Sequence, residues 1–213
     1  MTALFSTGTV LFRVAGYAMS PVEFLGTLLT LWSVWLVTRR NVWTWPVGNL
    51  GGLLFAFLFF QIRLYSDLVE QIYYIATGFY GWWVWTRRGA AAEADLSVTV
   101  ASPRLRAVSL GAIVIGTALM GFVMSRVNVW WPLWFPETAS YPYWDAFTTV
   151  VSFTAQLLMA HKKLDCWPLW VLVDVIGIAL YFVKGVVFVS FLYVIFLGLA
   201  LNGWRSWRRT RTA

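Results

Sequence analysis

The sequence predicts an all-α integral membrane protein of seven transmembrane helices, built as two parallel three-helix repeats plus one linker helix, a 3+1+3 plan. Three observations carry this prediction. Of the 213 residues, 60% are hydrophobic and only 12% are charged, whereas a soluble domain carries about 25% charged residues. Apolar runs long enough to cross a bilayer, about 20 residues each, recur seven times. The chain also repeats itself, without a gap, at an offset of 122 residues.

The runs fall at Pro21–Thr38, Trp43–Phe60, Leu68–Thr86, Leu105–Met124, Trp144–Ala160, Trp167–Val183 and Val186–Gly203. Basic residues orient them. With the N-terminus outside, four of the sixteen (Arg13, Arg63, Arg126 and Lys184) face outward and the other twelve face the cytoplasm. That is a strong positive-inside bias, and it accounts for the formal net charge of +7 without invoking nucleic acid. The chain is therefore expected in a bacterial cytoplasmic (inner) membrane, with a cytoplasmic C-terminus. Arg13 in the middle of Met1–Met19 argues against a cleaved leader.

The segments follow from these runs. Residues 1–20 form an outer N-terminal segment and 21–86 the first repeat. Residues 87–104 are polar and Ala-rich, a flexible cytoplasmic linker. The linker helix spans 105–125, and 126–143 is an aromatic external loop. The second repeat covers 144–204 and a basic tail 205–213.

The offset of 122 lays Trp45-Pro46 on Trp167-Pro168 and Gly81-Trp82-x-x-Trp85 on Gly203-Trp204-x-x-Trp207. It also pairs Glu23 with Asp145, Thr27 with Thr149, Thr30 with Ser152, and Arg40 with Lys162. One odd helix between the repeats makes both halves enter the membrane in the same direction. Such parallel repeats are a transporter habit, with substrate held near mid-membrane between them.

Polar residues inside the spans mark the candidate site, because lipid satisfies neither charges nor amides. Span five carries Asp145, Thr148, Thr149, Ser152, Gln156 and Met159 on one helical face; Glu23, Thr27 and Thr30 make a shorter version in span one. Span six carries Trp167, Trp170, Asp174 and Tyr181 on one face, with Asp174 about 10 Å deep at about 1.5 Å per residue. Span three aligns Asp67, Gln71, Tyr74 and Gly78. Asn49 sits among glycines that let helices approach closely.

Several chemistries are excluded. Cys166 is the only cysteine, so no internal disulfide or cysteine-based metal cluster can form; the lone histidine, His161, sits beside Lys162 and Lys163 at a cytoplasmic end, so no His-based metal site or Ser-His-Asp triad is expected. No Gly-Lys phosphate loop suits an ATP-driven pump, and no lysine lies inside the last span to hold retinal. Neither a cofactor nor a metal is expected. A membrane-embedded enzyme is the rival from another class, but it lacks a concentrated constellation, since only Asp174 and Asp145 read as deep carboxylates. A sugar-type carrier would share the 3+1+3 plan without this Trp-Pro and Gly-Trp-x-x-Trp pairing.

The stretches NVWTWPVGNLGGLLFAFLFFQIRLYSDLVEQIYYIATGFYGWWVW, YPYWDAFTTVVSF, CWPLWVLVDVIGIALYFVKG and LNGWRSW resemble the Pnu family of bacterial B-type vitamin transporters. The likeness covers nearly the whole chain outside the linker and termini. It implies facilitated diffusion by alternating access, with the vitamin trapped by a cytoplasmic kinase that need not bind the carrier. It also implies a site between the repeats, built from tryptophan stacking and amide hydrogen bonds, at Gln71, Trp167, Trp170 and Asp174. The face analysis adds Tyr74, Thr149, Ser152, Tyr181 and Asn49. PnuC-like nicotinamide riboside members carry Asn where this chain has Asp174, whereas thiamine (PnuT-like) and riboflavin carriers often carry Asp. An Asp loses the amide donor and gains a charge-assisted acceptor. Nicotinamide riboside is placed first, thiamine close behind, riboflavin third. The partners expected are the vitamin and the lipid bilayer, with no nucleic acid; the oligomeric state is left open, a homo-oligomer included.

Overall fold

The computed structural model describes residues 10–14, 17–61, 65–87, 97–135, 141–183 and 185–210. Arg63, Arg88, Lys184 and Arg211 of the topology count, 88–96 of the linker, and 136–140 of the external loop lie outside the described residues. Seven helices form: α1 (Pro21–Thr38), α2 (Thr44–Gln61), α3 (Tyr65–Thr86), α4 (Pro103–Trp130), α5 (Pro142–Ala160), α6 (Cys166–Val183) and α7 (Val187–Arg209).

Their starts follow from local chemistry. Ser20 accepts the Glu23 N–H at 3.2 Å ahead of Pro21, and Ser102 accepts the Leu105 N–H at 3.2 Å ahead of Pro103. A serine cap followed by proline satisfies a free amide and presets the first helical φ. Three helices outrun their apolar runs. Asp67 in the first turn of α3 and Arg208 and Arg209 in the last turn of α7 suit the helix dipole although they lower hydropathy. Helix α4 continues through the polar stretch Ser125–Trp130, so the segment expected as a loop from 126 begins as helix.

Four helices (α1, α4, α6 and α7) are long and apolar enough to cross a membrane by length and composition. Helices α2, α3 and α5 are more polar, and packing hides part of that polarity. Each ring helix packs on the next in the order α1, α2, α3, α5, α6, α7, and α7 returns to α1. Helix α4 lies outside this ring against α5 and leaves Val114, Ile115, Leu119 and Phe122 exposed, as a lipid-facing helix does.

The offset of 122 maps α1 onto α5 and α3 onto α7. The two seams between halves, α3 on α5 and α7 on α1, therefore exchange, as a two-fold along the ring axis requires. The helical hairpin turns repeat bond for bond. Arg40 N–H reaches Val37 O at 2.9 Å and Lys162 N–H reaches Met159 O at 2.9 Å; Asn41 N–H to Leu36 O is 3.1 Å and Lys163 N–H to Leu158 O is 2.9 Å. Arg40 (φ 58°) and Lys162 (φ 54°) both adopt the left-handed conformation, a strained choice for a side-chain-bearing residue made twice at the same repeat position.

Two features were not expected. Residues Phe12–Val14 (β1) and Tyr17–Met19 (β2) pair antiparallel, Phe12 opposite Met19. This ribbon ties the halves together at one end of the ring. Tyr17 hydrogen-bonds Glu23 of α1 and stacks on Phe188 of α7 with centroids 5.4 Å apart. Burial, then the Glu23 hydrogen bond and charge, push the Tyr17 phenol above its ordinary pKa. The second concerns the linker, whose described part is tied down instead of loose. Thr99 bridges the α5–α6 turn through Thr99 N–H to Lys162 O and Leu164 N–H to Thr99 O. Asp165 accepts the Ala101 N–H at 2.7 Å and pairs with Arg106 at 2.6 Å.

Candidate functional site

Four tryptophans close one end of the ring. Trp45 meets Trp85 edge-on at 5.2 Å and 87°, and its repeat mate Trp167 meets Trp207 at 5.3 Å and 87°. Gly81 and Gly203 make room: a Cβ on Gly81 would stand 2.5 Å from Trp45, and one on Gly203 would overlap Trp167. The third-helix indoles cross to the other half. Trp85 Nε1 donates to Ala160 O at 3.0 Å and Trp207 Nε1 to Val37 O at 2.9 Å. This cluster, with Cys166 and Leu158, is the largest buried core; it forms a plug where α1, α3, α5 and α7 end.

Trp167, expected to stack on a ligand, is 1% exposed within this plug and packs on Gly203 and Trp207. Its repeat mate does the same in the other half, so its position serves closure of the ring end. Trp170 lies at the edge of the plug, half-buried.

The sequence-derived site residues come from four helices, α2, α3, α5 and α6, and α7 adds one more. At the α3–α5 seam, Thr149 Oγ1 donates to Glu70 Oε1 at 2.5 Å, and Tyr74 lies near Ser152. The Tyr73 hydroxyl donates to Phe153 O at 3.0 Å, and the two rings stack at 3.8 Å. On α6, Asp174 is 4% exposed and has no ion pair among the described residues. Tyr181 stacks on Tyr193 of α7 at 5.4 Å and 20°. The Tyr193 hydroxyl lies within electrostatic reach of Asp174, Tyr74 and Glu70.

The repeat explains how the polar groups are distributed. Asp174 corresponds to Gly52, and Tyr193 to Gln71. In the first half Ile75 Cγ1 at 3.2 Å and Gln71 Oε1 at 3.5 Å stand nearest to where a Cβ of Gly52 would be. Asn49 is 6% exposed, with its Oδ1 against Gly78. Its Nδ2 has no partner among the described residues, and neither do Nε1 of Trp170, Trp167 and Trp45. These buried donors sit on α2 and α6, which lie opposite each other in the ring. A buried donor left unpaired costs about 1–3 kcal/mol; those of Trp45 and Trp167 lie inside the plug, whereas a ligand rich in acceptors would satisfy those of Asn49 and Trp170.

Sequence reasoning missed two residues. Glu70 follows Asp67 by three residues and precedes Tyr74 by four, which is as good a helical face as the one drawn through Gln71. Glu70 is therefore a further intramembrane carboxylate besides Asp145 and Asp174. Tyr193 was findable as the repeat mate of Gln71. No group of three or more His, Cys, Asp or Glu able to hold a metal occurs among the described residues.

A family described as nicotinamide mononucleotide transporter matches residues 20–209. The chain belongs to this family. Among relatives of this transporter family, the nicotinamide riboside transporter PnuC of Escherichia coli (strain K12) is 31% identical over 210 residues, 90% of this chain and 87% of the relative. The riboflavin/roseoflavin transporter RibM of Streptomyces davaonensis is also 31% identical, over 186 residues, 87% of this chain and 83% of the relative. A crystal structure of the vitamin B3 transporter PnuC shares the fold, with a TM-score of 0.67 at 22% identity over 89% of this chain and 81% of that one. This family member is thus a multi-pass membrane protein with the 3+1+3 architecture of a transporter.

Proposed function

We propose that the protein is a passive carrier that takes up a B-type vitamin, nicotinamide riboside first. The observation that carries this reading is the match between the buried groups and such a ligand. Unpartnered donors on α2 and α6 (Asn49 and Trp170) suit hydroxyl and carbonyl oxygens. Asp174 and Glu70 suit a positive ring, and Tyr74, Tyr181 and Tyr193 suit a flat one. The two-fold arrangement supports alternating access, each half rocking against the other around a fixed site. In this reading the tryptophan plug is the cytoplasmic end, in keeping with its basic flanks, and the ribbon is the outer end. A cytoplasmic kinase traps the vitamin, so no energy source is needed.

Riboflavin is the second reading, favoured because RibM and the E. coli PnuC match this chain with equal identity. Thiamine remains in the panel because Asp174 offers a charge-assisted acceptor to an aminopyrimidine. Counterflow tests the proposal. Liposomes carrying purified protein and loaded with one unlabelled vitamin should accumulate the same vitamin, labelled, from outside. Accumulation should persist with an uncoupler. No counterflow for any of the three vitamins would sink the carrier reading, and loss of counterflow with the uncoupler would sink the passive one.

A further inference from the structure

Glu70 is a half-buried acid that the family resemblance did not point to, and its hydrogen bond places it at the seam between α3 and α5. It accepts a hydrogen bond from Thr149 of α5. It lies within electrostatic reach of Asp67 and Tyr74 on its own helix, Asp145 of α5, Tyr181 of α6 and Tyr193 of α7. The one direct contact among these, Thr149, is itself buried on α5, so the carboxylate is held against the seam where the two halves meet. The second half has no counterpart, because the repeat mate of Glu70 is Leu192 and that of Thr149 is Thr27. The seam between α7 and α1 therefore lacks this acid, and the charge, like that of Asp174 whose repeat mate is Gly52, is one-sided.

We infer that Glu70 is a specificity-determining residue that, with Asp174, makes the site prefer a positively charged vitamin over a neutral one of the same shape. This rests on the carrier reading above and deepens it. Neither carboxylate has an ion pair among the described residues, and a carboxylate in a membrane interior calls for a partner. A cationic ring entering between α3, α5 and α6 supplies that partner. The bond from Thr149 holds Glu70 Oε1 toward α5, so the carboxylate is oriented before the ligand arrives. Unpartnered Asn49 Nδ2, 6% exposed on neighbouring α2, is an independent sign that a polar ligand completes this interior. A neutral vitamin would leave Glu70 without a counter-charge and so bind less well.

The test uses a pair of ligands that differ in charge and little else: nicotinamide riboside, whose ring is cationic, and its neutral 1,4-dihydro form. Purified full-length protein is titrated with both by calorimetry, beside Glu70→Gln, which keeps the acceptor for Thr149 and removes the charge. The wild type should prefer the cation. In Glu70→Gln that preference should fall about tenfold or more, as loss of one nearby charge in a low-dielectric interior implies, while affinity for the neutral form holds or rises. A structural role would weaken both ligands together, which a ratio does not register. Thr149→Val, which frees the carboxylate without removing it, should lower the preference by a smaller factor. Melting temperatures measured alongside show that each variant is folded; a variant that fails to fold is replaced by Glu70→Asp, which should retain preference for the cation. An unchanged ratio in folded Glu70→Gln would overturn the inference and leave the carrier reading standing. Binding of neither ligand, and of no other vitamin, by the wild type would overturn both.

Discussion

Gly81→Ala should destabilise the protein, because the plug leaves no room for one methyl group. The added Cβ would stand 2.5, 2.6 and 2.7 Å from three atoms of the Trp45 indole, well inside carbon–carbon contact at about 3.5–4.0 Å. Trp45 cannot swing aside, since it is 3% exposed and held edge-on by Trp85. Overpacking of this kind costs about 1–3 kcal/mol. Replacing Gly by Ala inside a helix returns up to about 1 kcal/mol, so the net loss reaches about 2 kcal/mol at the upper end of that cost. For a chain of this size that is a fall of up to about 8 °C in melting temperature. Gly198→Ala is the control: a Cβ there meets nothing within 4 Å, so the helix gain acts alone and the melting temperature holds or rises. Both variants are followed by tryptophan fluorescence in one detergent at one heating rate, because membrane-protein unfolding is often irreversible and rate-dependent. Gly203→Ala, the repeat mate, should fall in the same way as Gly81→Ala. If Gly81→Ala melts at or above Gly198→Ala, the plug is not close-packed as described.

Three further predictions follow from particular contacts. Trp207→Phe removes the bond from Nε1 to Val37 O, worth about 1 kcal/mol; the plug should open more often, and maleimide labelling of Cys166, which is 0% exposed, should speed up about fivefold. Asp165→Ala should lower the melting temperature more than Arg106→Ala, because it removes the Ala101 N–H bond as well as an ion pair with a half-exposed arginine, a pair worth at most about 1 kcal/mol. Tyr73→Phe loses its bond to Phe153 O yet keeps the ring stack, so its melting temperature should fall less than that of Tyr73→Ala.

Much of the fold was legible because the repeat is. A single ungapped offset linked Trp45 to Trp167 and Gly81 to Gly203, and the structure turns each linked set into the same Trp–Trp–Gly wedge. The apolar runs located all seven helices but misplaced several ends, since hydropathy penalises the very residues, Asp67, Arg208 and Arg209, that suit helix termini. The ribbon went unread because three-residue strands leave no period to detect. The tied linker depends on Asp165 meeting Ala101 and Arg106, contacts that composition cannot show. For the site, helical spacing brought Tyr74, Thr149 and Ser152 to one seam. Spacing alone could not choose between Glu70 and Gln71, adjacent residues on one broad face. Nor could it tell a tryptophan that stacks on ligand from one that fills the hollow over a glycine, which is where Trp167 lies.

The central claim is that this family member binds and passes a vitamin. Titration of the purified wild type with nicotinamide riboside, thiamine and riboflavin by calorimetry, with Asp174→Ala beside it, tests that claim most directly. The wild type should bind nicotinamide riboside saturably, and a folded Asp174→Ala should lose that binding. Heat from none of the three ligands, or undiminished binding in the variant, would contradict it.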